Sequence, residues 1–346
     1  MHIVILSPSW PRQGAANGIV TYCDSVVKSL KMQGHEVSVL ARRRALDMDE
    51  SEAASAYIEE YQPSTLEKII GRIGEFFSPG FSQYYFGGKA ILSGVRTIEK
   101  KKKIDVLEME ESFGWHYFLQ KRVDFPVVMR LHGPYYINGP LSGEKLDALD
   151  YRRIKREEGA FRAARYVNAP SNWVLEEPQK TYGIKWPFQM AFFNPIDPLP
   201  AEQCWSPSSY RPKQLLFVGR FDKLKGGDLV IEAFAKVLES DPDVTLVFAG
   251  PDKGVDLASG KRAFIQEAIE ACLPKANVGR VQYIGLADAD TIKSLRKQSH
   301  ITLMASRSET LGYAVLESLA AAAPIVAPYV AGVCETFEDN VSGVFF

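Results

Sequence analysis

The sequence predicts an α/β protein of two doubly wound domains, and three observations carry that prediction. Residues 2–6 are a short apolar run, and residues 8–18 are rich in turn formers. Ile19, Val26, Val27 and Leu30 then recur at helical spacing before Gly34, and 35–40 is a second apolar run. Strand, glycine-bearing loop, helix, glycine and strand make a βαβ unit. A second series of the same kind opens at 214–219. Between the two lies 194–212, with prolines at 195, 198, 200, 207 and 212, the composition of an interdomain linker.

The elements follow in order. Further strands of the first series are expected at 104–107, 127–131 and 166–169. The second series has a helix over 228–239 and strands at 244–249, 281–284, 301–304 and 325–327. The expected division is a first domain over 1–193, a linker over 194–212 and a second domain over 213–346. Ligands of doubly wound sheets bind at the carboxyl ends of the strands, so the two domains are expected to face a ligand across a cleft.

Composition narrows the function. The chain has 346 residues, 46% apolar and 24% charged, which is ordinary for a globular protein and ample for two cores. Lys and Arg number 41 against 42 Asp and Glu, a net charge of −1, so whole-chain attraction to nucleic acid is not indicated. Cys23, Cys204, Cys272 and Cys334 are far apart, which argues against a disulfide scaffold or structural zinc and fits a reducing, cytoplasmic setting. The first residues lack the basic segment and apolar run of a signal peptide. The longest apolar stretch, 314–333, is broken by Glu317, Pro324 and Pro328, so no membrane-spanning helix is expected.

Two stretches can carry chemistry. The first, 306–317, joins a strand end to a polar loop and a helix beginning near Gly312. Free backbone N–H groups at such a helix start hold hydroxyl or phosphate oxygens. Glu309 precedes the helix, and Glu317 lies two turns on, about 200° around the helix from the core-facing Val315. Two such carboxylates can each bind a vicinal diol; the plain alternative is a dipole partner plus a solvated helix glutamate. In the second stretch, 219–227, Arg220 leaves a strand end and Lys225 precedes two glycines and a helix start. Together they can neutralise a diphosphate, or be ordinary surface charge in a βα loop.

Together, the two stretches resemble the donor-binding half of glycosyltransferase family 4, the retaining sugar-nucleotide transferases of the GT-B fold. The family's G-R-x5-K-G is matched by Gly219, Arg220, Lys225 and Gly226 with four spacer residues. Its E-x7-E is matched by Glu309 and Glu317, the proline after that helix by Pro324, and the late G-G-x-x-E by Ala331, Gly332 and Glu335. In the first half, Gly34-His35-Glu36-Val37 and the His132-Gly133 pair after a strand agree as well. Asn17-Gly18 stands where the family usually has Gly-Gly, Leu311 for its Phe, Ala305 for its Pro and Ala322 for its Gly. Relatives continue beyond the position of Phe346 with helices that complete the second domain, so those helices are expected to be missing here.

The resemblance implies two Rossmann-like domains and the following roles. Arg220 and Lys225 hold the donor diphosphate, with Gly219 beside them. Glu309 and the backbone of Leu311 and Gly312 hold the donor sugar, and Glu317 holds the ribose. Gly250, Ile284 and Gly285 shape base selection. His132 lies against the donor sugar, and Asn17, Gly18 and Ser171 serve the acceptor or phosphate side. A glycosyl group leaving a diphosphate needs charge stabilisation more than a strong nucleophile, and no covalent nucleophile is named. The expected reaction moves a sugar from a nucleotide diphosphate sugar to a glycan or lipid-linked acceptor in cell-surface polysaccharide assembly. The alternatives are a sugar-nucleotide epimerase of the same fold and a non-catalytic nucleotide-sugar-binding protein.

Other features read more plainly. Asp288 and Asp290 form a D-x-D, but they precede a helix, where aspartates cap; no metal and no cofactor is expected. No GxxxxGK[ST] or GxGxxG follows a strand, which disfavours NTPases and NAD enzymes. His116 and His300 read as packing or surface residues. In 66–103, Ile69, Ile70, Ile73, Phe76 and Phe77 are interleaved with Lys68 and Arg72, and Lys100 to Lys103 follow. The preferred reading is a helix and loop packed on the first domain. A peripheral contact with the inner face of the membrane is the alternative.

Overall fold

In a computed structural model, which describes residues 1–11, 17–42, 54–58, 62–141, 145–256 and 261–346, the chain divides into two units. One comprises Met1–Gly139 and Lys145–Pro195, the other Ile196–Phe346 with Pro140–Glu144.

The first unit runs β1 (His2–Ser7), α1 (Gly18–Met32), β2 (Glu36–Ala41), β3 (Ala56–Tyr57), α2 (Thr65–Phe77), α3 (Phe81–Glu99), β4 (Val106–Glu110), α4 (Trp115–Gln120), β5 (Val127–Arg130), α5 (Tyr135–Leu141), α6 (Ala148–Ala163), β6 (Tyr166–Ala169), α7 (Asn172–Tyr182) and β7 (Phe188–Ala191). Its strands pair in parallel in the order β3-β2-β1-β4-β5-β6-β7. Alternate residues explain why β1 is apolar throughout. Val4 and Leu6 join Leu40, Leu107 and Met109 under Ile91, Val95 and Ile98 of α3, while Ile3 and Ile5 turn to the face of Tyr22 and Val26. Asn17 caps α1 by accepting from Ile19 N at 2.9 Å, and Gly34 ends it with φ +80°.

The stretch 66–77 folds as the helix α2, but its apolar residues do not pack inward as the preferred reading expected. Ile69, Ile73, Phe76 and Phe77 are exposed, and the helix meets α3 through Gly71 and Gly74 instead. A methyl group on Gly74 would lie 2.2 Å from the Phe81 ring, so only a bare backbone allows that approach.

The second unit runs β8 (Arg211–Val218), α8 (Gly227–Ser240), β9 (Thr245–Ala249), β10 (Val255–Asp256), β11 (Arg262–Ala263), α9 (Ile265–Cys272), β12 (Val281–Gly285), α10 (Ala289–Gln298), β13 (Ser299–Leu303), α11 (Tyr313–Ala320), β14 (Ile325–Ala327) and β15 (Val344–Phe345). The main sheet is parallel in the order β12-β9-β8-β13-β14-β15, and β10-β11 is a small antiparallel pair. Strand order therefore reverses between β8 and β13, the switch point where doubly wound sheets hold ligands. Phe217, Phe248, Ile231 and Phe234 centre the core beneath.

Arg211 and Pro212, expected in the linker, begin β8. The preceding segment is held too: Trp205 stacks on Tyr210, its N–H donates to the Ala321 carbonyl at 2.8 Å, and its indole donates to the Ser299 carbonyl at 2.9 Å. Two alanines sit in the left-handed region, Ala322 at φ 52° and Ala331 at φ 41°. Both stand where the family pattern has glycine, and the backbone gives the reason: only glycine takes that conformation without a Cβ penalty.

Candidate functional site

Two loops meet at the switch point of the second unit, 219–226 after β8 and 304–312 after its neighbour β13. Lys225 of the first loop pairs with Glu309 of the second, both side chains largely buried. Arg307 grips Asp228 at the start of α8 with two hydrogen bonds of 2.8 and 2.7 Å, and its backbone N–H donates to the Leu224 carbonyl at 2.9 Å. That hydrogen-bonded carboxylate holds the Arg307 guanidinium above its usual pKa. Asp222 shapes the first loop, accepting from Lys225 N at 2.7 Å and from Arg220 Nε at 2.5 Å. Arg220 is the more exposed cation, its side chain 41% accessible.

Both helices that start here lack a side-chain cap. Gly226 precedes α8 with φ 71° and Gly312 precedes α11 with φ 81°. A Cβ on Gly226 would lie 1.9 Å from the Ala305 carbonyl oxygen, so this glycine is what lets the two loops touch. Leu311 is fully buried, so only its backbone is available at the site. The floor is bare backbone as well: Gly219, Gly250 and Gly285 end the three neighbouring strands β8, β9 and β12. Gly219 N–H donates to the Ala249 carbonyl at 2.9 Å, and Gly250 N–H to the Gly285 carbonyl at 2.7 Å. A Cβ on Gly250 would lie 2.0 Å from the Gly219 oxygen. Ile284 is half-buried beside that floor.

Glu317, on the second turn of α11, keeps its side chain 30% exposed, as its helical angle predicts. Its Oε2 lies 2.6 Å from Nη2 of Arg296 on α10, a guanidinium only 3% exposed that burial pulls below its usual pKa. Sequence reasoning missed Arg296; nothing in a helix over 289–298 marks one basic residue as a partner for position 317. It also missed Arg307 and Asp228, which stood inside the two motifs. Asp288 caps α10, accepting from Thr291 N at 2.7 Å, and Asp290 is exposed beside Lys293. Among the described residues no cluster of three or more His, Cys, Asp or Glu is placed to hold a metal.

In the first unit the candidate residues form a separate network. His132, just past β5, sits edge-on to Tyr22 at 5.0 Å. Burial, then the neighbouring Arg130 charge, hold its imidazole well below the usual pKa, so it is neutral at pH 7. Glu111, after β4, accepts from the backbone N–H of His132 at 3.0 Å and of Gly133 at 2.8 Å, which fixes the histidine loop. Burial, then the Glu157 charge, push the Glu111 carboxyl up to about 8. Glu157 is itself buried and accepts from the N–H of Phe113 at 3.1 Å and of Tyr135 at 2.9 Å, and from Arg153 at 2.8 Å. Arg130 lies between the rings of Tyr22 and Phe192, each 4.5 Å away, and Tyr22 donates to Glu108 at 2.7 Å. Glu108, Glu111 and Arg130 were not singled out in the sequence, although charges in or beside apolar strands were the available signal.

The remaining residues do structural work. Ser171 is buried and caps α7, accepting from Val174 N at 3.3 Å. Gly18 opens α1 beside its cap Asn17. His116 is buried with Nε2 3.1 Å from the Val127 carbonyl, and burial lowers its pKa to about 4. His300 stacks on Tyr210. Both are packing residues, as expected.

Two Rossmann-ordered parallel units, each with its charged residues at the carboxyl ends of the strands, define the GT-B class of fold. Solved structures agree: sucrose-phosphate synthase from Thermosynechococcus elongatus superposes with a TM-score of 0.70 at 16% identity over 99% of this chain and 85% of its own. The Anabaena protein Alr3699/HepE, solved in complex with UDP-glucose, gives 0.67 at 16% identity over 100% and 85%. By sequence, the model of Glycosyltransferase Family 4 matches residues 16–191 and that of Glycosyl transferases group 1 matches residues 206–346; the chain belongs to glycosyltransferase family 4. A D-inositol 3-phosphate glycosyltransferase of Streptosporangium roseum is 25% identical over 96% of this chain and 78% of its own length. An uncharacterised glycosyltransferase of Methanocaldococcus jannaschii is 30% identical over 38% of this chain, a match that spans 31% of that relative.

Proposed function

We propose that the chain is a retaining glycosyltransferase that moves a sugar from a nucleotide diphosphate sugar to a glycan or lipid-linked acceptor, on the cytoplasmic side of cell-surface polysaccharide assembly. The observation that carries this reading is the Lys225–Glu309 pair joining two loops at the switch point of the second unit. An arriving diphosphate competes with Glu309 for Lys225. The cation then holds phosphate with Arg220, and the released carboxylate accepts donor-sugar hydroxyls. The uncapped starts of α8 and α11 supply backbone N–H groups and positive dipole ends for the same anion. Glu317, oriented by Arg296, takes the ribose diol. The glycine floor of Gly219, Gly250 and Gly285 leaves room for the base, beside Ile284. His132, neutral, is assigned to the donor sugar, and the Asn17-Gly18 turn and Ser171 to the acceptor side.

In the reaction, the bond between the sugar C1 and the β-phosphate oxygen breaks. The acceptor oxygen bonds C1 on the same face, and its proton passes to the leaving phosphate. Arg220, Lys225 and the helix starts stabilise the charge that develops on that phosphate. No metal enters this scheme. The printed name of the S. roseum relative, an inositol phosphate transferase, and the UDP-glucose bound by the Anabaena neighbour support the donor class without deciding the acceptor.

The test is transfer in the presence of EDTA from UDP-, GDP-, ADP- and dTDP-sugars to lipid-linked and soluble glycan acceptors, with the product anomer read by NMR. Release of nucleotide with an α-linked product from an α-linked donor supports the reading. An inverted product or epimerised donor sugar contradicts it.

A further inference from the structure

α2 is an amphipathic helix mounted the wrong way round for a soluble protein. At roughly 100° per residue, Leu66, Ile69, Ile70, Ile73, Phe76 and Phe77 fall in an arc of about 120°. All six are exposed, Phe76 by 84% and Phe77 by 73%. The opposite arc holds Glu67, Gly71, Gly74 and Glu75, and this is the face that docks on α3. Gly71 lies under the Phe86 ring and Gly74 under Phe81. Glu67 pairs with Lys89 at 2.5 Å, and Glu75 accepts from the N–H of Gly80 at 2.6 Å and of Ser82 at 3.0 Å. A Ser64–Glu67 capping box fixes the helix start. The helix is thus held firmly, by bare backbone and acids, with its greasy side presented outward.

Charge decides what that side meets. Both acids of the helix turn inward and are engaged, so neither borders the apolar arc. Lys68 and Arg72 fall at the arc's edge and are exposed. An apolar arc with a basic shoulder complements a surface that is apolar inside and anionic at its rim. Lys102 of the later lysine run, by contrast, pairs with Glu36.

We propose that α2 is a docking helix for an anionic lipid bilayer, with Ile69, Ile73, Phe76 and Phe77 entering the acyl boundary and Lys68 and Arg72 meeting lipid phosphates. This surface lies outside the donor site, and its test does not depend on catalysis.

The experiment is flotation of the full chain with vesicles of phosphatidylcholine alone and of phosphatidylcholine with one-third phosphatidylglycerol, alongside light scattering of the protein without lipid. The expected result is flotation with the anionic vesicles. It should be lost in Phe76→Glu/Phe77→Glu and weakened roughly thirty-fold in Lys68→Gln/Arg72→Gln. Met32→Glu, at another exposed apolar residue, should float as the parent does. Circular dichroism and nucleotide binding unchanged in every variant show that the fold and the donor site are intact. The proposal is overturned if the parent floats with neither vesicle, or if Phe76→Glu/Phe77→Glu floats undiminished. A dimer that dissociates in that variant, with no flotation of the parent, assigns α2 to a second copy of the chain instead.

Discussion

Lys225 and Glu309 stand on adjacent βα loops of one unit, and each is the other's charge partner. The pair is 84 residues apart in sequence and is brought together by the neighbouring strands β8 and β13. A ligand-free site that neutralises itself this way exchanges one internal ion pair for contacts to an anion and a polyol, so its charges stay compensated in both states.

Replacing Lys225 by alanine should weaken nucleotide diphosphate binding about 10- to 100-fold, the loss expected for a charge-assisted hydrogen bond of about 1.5–3 kcal/mol. Glu309→Gln keeps the size but removes the competing charge. It should leave free UDP or GDP binding unchanged or tighter while weakening the corresponding nucleotide sugar. Calorimetry with the paired ligands checks both.

Arg296 positions Glu317. In Arg296→Met the carboxylate loses its buried partner at 2.6 Å and is no longer aimed at one place. Binding of the ribonucleotide should fall about tenfold, while binding of its 2′-deoxy counterpart should hardly change. Equal losses for both would make Arg296 a packing residue only.

Ala322→Gly should stabilise the protein by about 0.5–1 kcal/mol, because alanine's left-handed penalty of roughly 1–2 kcal/mol outweighs the backbone entropy glycine gives up. Ala331→Gly should act in the same direction. Thermal and urea unfolding of the single and double variants reads the effect, and a loss of stability would contradict it.

Stability should fall between pH 6.5 and 8, and Glu111 is a cause. Its folded carboxyl sits at about 8 against the ordinary 4.5, so the native state binds more protons than the unfolded one across that interval. Stability is therefore greatest below the unfolded value and declines as pH rises through the folded one. His116 works the other way, but only below 6.5, where its depressed imidazole costs stability as pH falls toward 4. Between 6.5 and 8 the Glu111 contribution amounts to at most about 2 kcal/mol. Urea unfolding of Glu111→Gln should show a visibly shallower decline than the parent over that range. An equal decline would mean the carboxyl is ionised in the folded state.

Much of this was legible in the chain. Turn formers, helical spacing and apolar runs located the βαβ units. The two charged loops carried the site because their spacing fixes them at strand ends. What escaped has physical reasons. Periodicity says that 66–77 is an amphipathic helix but not which face turns inward. Two glycines and two acids decided that by packing on α3. Arg296 and Glu111 act through partners distant in sequence, which no local pattern displays. Ala322 and Ala331 looked like conservative replacements until the backbone showed left-handed residues there.

The most direct measurement is calorimetric titration of UDP-, GDP-, ADP- and dTDP-sugars into the full chain in EDTA, beside the Arg220→Ala/Lys225→Ala variant. The predicted result is saturable binding of one nucleotide class that survives EDTA and disappears in the variant. Binding of none of the four, or binding that the double substitution leaves intact, would contradict a donor site at the β8–β13 switch point.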